Sequence, residues 1–333
     1  MEMTDMKFVQ NIYVAGMLIA VMCTACSSES TTSDVPTTYT KPNIVIFQAD
    51  MRGSMTRSRQ TIEYSRWTEG DQIAVSDATA NSPLKYKAAT SSMENSGGVS
   101  FVSFDEGNII YWPADKRDMH YDAWYPYATS RPVSAEVPAN QQDVETMDLL
   151  YAPGESHSFV QGSGNEPDPQ TVPLTFYHQM ARLVINIHIM TDDTWGSVTI
   201  GDGTNIGRIR AITHLGVTGE TATETTKTQW GTLSEKTTIT PKQLSANNTN
   251  KTYCYECLLP PQQGTNTNDL MTIITKMANN SDRTYHYKSV YDFQAGYQYT
   301  YTFELSIQGI TMTSSVEPWT EETPVNVNDP LLM

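Results

Sequence analysis

GYQYTYTFELSI, residues 296–307, decides the fold class. Tyr297, Tyr299, Tyr301, Phe303 and Leu305 fall on one side of an extended chain, and Gln298, Thr300, Thr302, Glu304 and Ser306 on the other. That period of two belongs to an antiparallel strand with one buried and one wet face. Shorter runs of strand character lie at 72–76, 84–88, 99–104, 108–112 and 119–125. Others follow at 181–190, 197–200, 208–213, 252–259, 270–276, 283–289 and 310–316. Clusters of Gly, Asn, Asp, Pro and Thr separate them, and no amphipathic run exceeds three turns of helix. Many short strands with turns between them define an all-β chain of sandwich type.

Upstream of the first run, NIVIFQADMRGSMTRSRQ (43–60) sets Ile44, Val45, Ile46 and Phe47 in a row, as in a strand buried on both faces. Gly, Ser and three arginines follow at once. In the middle of the chain, APGESHSFVQGSGNEPDPQTVP (152–173) is the densest cluster of turn residues within the body. It places the division between an N-terminal domain, 42–174, and a C-terminal domain, 175–323, with a tail at 324–333. The Thr-rich stretch 218–240 and SANNTNKT (245–252) read as long exposed loops.

The segment NIYVAGMLIAVMCTACSSES (11–30) carries an apolar run of only about a dozen residues ending in small ones, too short to span a membrane as a helix and suited to a signal-peptide core, giving a leader at 1–25. Glu2 and Asp5 outweigh Lys7 on its upstream flank, so a start at Met6 fits export better. Cys23-Thr24-Ala25 before Cys26 resembles a bacterial lipobox, which puts lipid on Cys26. Cys23 is a poorer candidate because Met22 precedes it, and a plain secreted protein would lose Cys26 with its leader. The Thr/Ser/Pro-rich residues 26–41 form a flexible linker.

A net charge of −16 argues against a nucleic-acid partner and suits a soluble surface protein. Among the 37 acidic residues no pair stands out for glycoside hydrolysis, and neither Gly-x-Ser-x-Gly nor His-Glu-x-x-His occurs. GDGTNIG (201–207) lacks dinucleotide-loop spacing and reads as a hairpin turn. The six histidines are scattered, His286 between two tyrosines being read as a surface or core-packing residue, so no metal or cofactor is expected. Cys254 and Cys257, three apart on a strand, point to opposite faces and should stay free thiols. Within 111–127, Trp112, Trp124 and Tyr125 are read as core rather than as a sugar platform.

Four segments in order, RWTEGDQIAV (66–75), IIYWPADKRDMHYDAWYPY (109–127), LTFYHQMARLVINI (174–187) and VEPWT (316–320), resemble the fimbrillin family, the subunits of Bacteroidales type V pili. The resemblance spans about 26–320. Trp67, Gly70 and Asp71 would set a turn into a core strand, Trp112-Pro113 would close another, and His178 and Arg182 would flank the strand that opens the second domain. All are framework positions, none catalytic. The resemblance implies two tandem transthyretin-like β-sandwiches behind a lipoprotein signal, and export to the outer membrane on the Cys26 lipid. It further implies cleavage behind the first strand by an arginine-specific or trypsin-like protease, and polymerisation by donor-strand exchange with other pilus subunits. In this chain Ile44, Val45, Ile46 and Phe47 match the strand to be removed, and Arg52, Arg57 or Arg59 offers the cut, Arg66 being less suited beside Trp67. Ile310, Met312 and Val316, with Val325 and Val327 beyond them, form the candidate donor. The alternatives are a monomeric surface lipoprotein that binds glycan or host protein through Trp195 or Trp230, or a pilus anchor. The closing NDPLLM leaves shaft, tip and anchor open.

Overall fold

The computed structural model describes residues 44–51, 67–77, 82–90, 99–142, 147–160, 170–219 and 222–319. Among them there is no α-helix; nearly all regular structure is strand. The first strands are β1 (Val45–Met51), β2 (Gln72–Asp77), β3 (Leu84–Ala88), β4 (Val99–Ser103), β5 (Met119–Tyr125), β6 (Ser134–Glu136), β7 (Leu150–His157) and β8 (Gln170–His178). All but β6 join one sheet that closes on itself in the order β1-β4-β3-β2-β5-β7-β8. Its core gathers Val45, Phe47, Ile73, Val75, Tyr86, Phe101, Tyr121 and Phe176, with Trp67 and Trp112.

The remaining strands are β9 (Ala181–Ile189), β10 (Thr194–Ile200), β11 (Gly207–His214), β12 (Gln229–Lys236), β13 (Lys242–Asn247), β14 (Thr252–Leu259), β15 (Gln262–Gly264), β16 (Met271–Lys276), β17 (Asp282–Tyr287), β18 (Tyr291–Phe293), β19 (Tyr297–Ser306) and β20 (Gly309–Pro318). A five-stranded sheet, β13-β14-β9-β19-β20, shares a second core with the three strands β10-β16-β17. The alternation in β19 holds on its apolar side, where Tyr299, Tyr301, Phe303 and Leu305 are buried. Gln298, expected on the wet face, is buried as well. β6, β11 and β12 form a separate ribbon, and β15 pairs with β18.

Several expectations change. The apolar row 44–47 is not buried on both faces: Val45, Phe47, Ala49 and Met51 point into the core, while Ile44 is 42% exposed and Gln48 and Asp50 face solvent. The closed sheet has one inner face only, so period two applies. Residues 108–112 hold no strand, only a single bridge from Tyr111 to Ile44. GDGTNIG is not a hairpin, because β10 pairs with β16 while β11 pairs with β12 and β6; the loop carries the chain from one sheet to another. Within the Thr-rich stretch, 229–236 forms β12, and β13 extends into the segment read as a loop at 245–252. The cut at 174/175 falls inside β8, which belongs to the closed sheet through Gln170–His178. The chain changes sheets at Gln179–Met180.

All eight residues of β14 are buried. Cys257 sits in the second core, whereas Cys254 packs with Val184 and Leu244 on the opposite face. Both thiols are free. Burial, reinforced by Glu256, pushes the Cys254 thiol up to about 12 and that of Cys257 also upward, so neither ionises near neutrality. Both are expected to ignore a thiol reagent such as DTNB at pH 8 and to react once guanidinium unfolds the chain, an outcome that an absorbance titration in both states checks.

Candidate functional site

β1 is held on both edges. Phe47, Gln48 and Ala49 pair antiparallel with Phe101, Ser100 and Val99 of β4. On the other side, Val45 through Met51 pair parallel with Gln170 through Phe176 of β8. The pairing extends at its start, where Val45 N–H donates to the Ile110 carbonyl at 2.9 Å and Gln170 N–H to the Ile44 carbonyl at 2.9 Å. Tyr86 bridges the same point: its hydroxyl accepts from Ile110 N–H at 3.0 Å and lies 3.5 Å from the Val45 carbonyl. Burial raises that phenol to about 12, which keeps it a neutral donor. Phe47, fully buried, meets Tyr86 and Tyr121 edge to face with centroids 4.9 and 5.2 Å apart.

β1 thus closes the sheet as a strand-shaped plug. Without it, β4 and β8 become open edges with unpaired backbone groups, and the places of Val45, Phe47, Ala49 and Met51 become an apolar groove. Burial of each of the larger side chains contributes about 1.5–3 kcal/mol, so an empty groove is strongly disfavoured in water.

At the other end of the described chain, β20 pairs with β19 along its full length and forms an edge of the five-stranded sheet. Ile310 and Met312 pack against the second core, whereas Val316 on the same side of the strand is 59% exposed. Thr311, Thr313, Ser314 and Ser315 are exposed.

The four motif segments act as framework. Asp71 Oδ2 accepts from Thr68 N–H at 2.7 Å, and Gly70 turns the chain into β2 at φ +92, a conformation that favours glycine. Trp67 packs edge to face on Phe101, Tyr125 and Phe176. Trp112 is buried, its indole donating to the Arg117 carbonyl at 3.0 Å.

The last two segments meet in one buried polar cluster. His178 Nδ1 lies 2.6 Å from Asp148 Oδ2, and the imidazole stacks on Trp319 with centroids 3.9 Å apart. The backbone N–H of Trp319 donates to the carbonyl of Gly296, which turns at φ +76 where a Cβ would lie 2.9 Å from Thr218 Oγ1. Arg182, 1% exposed, donates from Nε to Glu256 Oε1 at 2.6 Å and from Nη1 to Gln298 Oε1 at 2.7 Å. Burial pushes the Glu256 carboxyl above the usual range, and Arg182 opposes that shift. Asp148, Glu256 and Gln298 carry no local sequence signal, because their partners lie 30, 74 and 116 residues away.

Cys26, Arg52, Arg57, Arg59, Val325 and Val327 lie outside the described residues. Ile44, Val45, Ile46 and Phe47 stand at and in β1, and Ile310, Met312 and Val316 in β20, in different sheets. Trp195 stacks on Tyr253 and Tyr255 at 4.5 and 5.4 Å. No group of three or more His, Cys, Asp or Glu among the described residues could hold a metal.

Residues 56–319 match the family described as Fimbrillin-like. The chain belongs to that family. It is 26% identical over 329 residues to a Bacteroides uniformis protein named "Putative fimbrium subunit Fim1C", covering 92% of this chain and 94% of that one. Its fold is similar to crystal structures of two proteins described as "putative cell adhesion protein". The one from Bacteroides uniformis has a TM-score of 0.57 at 20% identity, over 83% of this chain and 98% of that one. The other, from Bacteroides ovatus, has a TM-score of 0.54 at 16% identity, over 84% and 98%.

Proposed function

We propose that this chain is a structural, non-enzymatic subunit of a surface pilus, made as a lipid-anchored precursor and polymerised by donor-strand exchange. One observation carries the reading: a single N-terminal strand plugs a groove, and the arginine-bearing stretch 52–66 follows directly behind it. Lipid on Cys26 would hold the precursor at the outer membrane through the linker 26–41. A cut after Arg52, Arg57 or Arg59 would sever β1 from the rest, leaving two tandem domains that meet where the chain changes sheets at Gln179–Met180. The donor would come from 310–327, either β20 peeled from β19 or the segment carrying Val325 and Val327. Membership of the fimbrillin-like family, and a relative named as a fimbrium subunit, support assembly with other subunits into a cell-surface appendage.

Limited trypsin digestion of the chain without its leader, with N-terminal sequencing of the products, tests the processing step. A discrete new N-terminus directly after Arg52, Arg57 or Arg59 is expected, while Arg182 of β9 and Arg208 of β11, set in strands, resist. Resistance of all three candidate bonds would favour an anchor or a monomeric surface protein that keeps its first strand.

A further inference from the structure

A cleft of about 360 Å³, lined by no residue of β1, β4 or β8, lies between the β11/β12 ribbon and the β15/β18 pair. Trp230 of β12, half-buried beside Ile212, forms one wall, and the Arg210 guanidinium lies 5.9 Å from its ring centroid. Phe293 and Ala295, both buried, supply apolar surface. Gln263, Asp292 and Gln294 line the rim, with Gln294 Nε2 donating to Asp292 Oδ2 at 3.0 Å. Among the described residues, neither the Gln263 amide nor the Trp230 indole N–H takes a hydrogen-bond partner.

The chemistry narrows the ligand. An aromatic wall with an apolar floor suits a ring with C–H faces, and planar amide and carboxylate groups suit adjacent hydroxyls that both donate and accept. The two cations at the cleft are already engaged: Arg210 donates to the Gly231 and Pro261 carbonyls, Lys227 pairs with Glu224 at 2.6 Å, and Asp292 offsets the remaining positive charge, so no net charge is left to select an anion. Trp195, the other candidate aromatic, has its ring stacked against two tyrosines and stands outside the cleft.

We propose that this cleft binds a neutral pyranose sugar, with Trp230 as the stacking wall and Gln263, Asp292 and Gln294 as hydroxyl partners. Such a site would give the subunit a glycan-binding activity of its own, independent of whether the chain is cut or polymerises.

Saturation-transfer NMR on the uncut full chain tests it, with the methyl glycosides of glucose, galactose, mannose and N-acetylglucosamine as probes at about 10 mM, for Kd values on the order of 1 mM. At least one probe should show transfer. Trp230→Ala should weaken it at least about tenfold and Gln263→Ala about threefold, while Trp195→Ala leaves it unchanged. No transfer from any probe overturns the proposal, as does transfer that survives Trp230→Ala in a folded protein. If circular dichroism shows that Trp230→Ala does not fold, Gln263→Ala and Gln294→Ala, both at exposed positions, decide: unchanged transfer in both overturns the assignment.

Discussion

Cutting the chain between Met51 and Trp67 and releasing the first strand is expected to convert a monomer on gel filtration into a series of SDS-resistant oligomers. The uncut precursor should stay monomeric, because β1 satisfies the β4 and β8 edges internally. Once β1 leaves, the closed sheet loses a strand paired along seven residues on one side, and four inward side chains vacate the core. Intermolecular strand addition restores both the backbone pairing and the apolar contacts. A synthetic peptide covering 43–51, added in excess, should compete for the groove and hold the cut protein as a monomer. Donor variants locate the incoming strand. Val325→Asp with Val327→Asp should abolish the ladder if the far tail inserts, and Ile310→Asp with Met312→Asp should do so if β20 peels away. Cut protein that remains monomeric without added peptide, or a ladder untouched by both pairs of substitutions, would defeat the strand-exchange reading.

What could be read in advance follows the range over which each element is determined. β19 was legible because its alternation is local and its inner side meets a core along five positions. β12 was not, since QWGTLSEK lies on an edge and offers little apolar pattern. The stretch 152–173 looked like a linker because of its prolines and glycines, yet parts of two strands lie within it. Pro153 and Gly154 sit opposite Asp122 where the β5/β7 register shifts, a bulge that tolerates both residues. Pro173 is tolerated because the β7 pairing reaches β8 only at Tyr177 and His178, leaving its position bonded to β1 alone. The motif residues were legible as framework, but not their partners: Asp148 with His178 and Glu256 with Arg182 meet only through tertiary structure. The candidate cleft draws on residues from 210 to 297, so no single window of sequence displays it.

Arg182→Met alone is expected to destabilise the fold by roughly 3–5 kcal/mol, measured by denaturant unfolding at pH 7, because it leaves Glu256 buried with its countercharge removed. Glu256 has no exposed surface, and its Oε1 depends on the 2.6 Å bond from Arg182 Nε. Gln298 would lose the donor to its Oε1 as well. The sign of the pH dependence follows from the raised Glu256 pKa, which desolvation causes and Arg182 restrains. A carboxyl whose folded value exceeds its unfolded one is harder to ionise in the native state. Its penalty is therefore absent below the unfolded value, grows as pH rises through the window between the two, and is complete above the folded value. Removing Arg182 widens that window upward, so the variant's deficit should be smaller at pH 5 than at pH 8. Replacing both partners, Arg182→Met with Glu256→Leu, removes the buried charge altogether and should recover most of the loss, to within about 1–2 kcal/mol of the parent. Equal deficits at the two pH values, or a double variant no better than the single one, would mean that the pair is held by shape and by Gln298 rather than by charge.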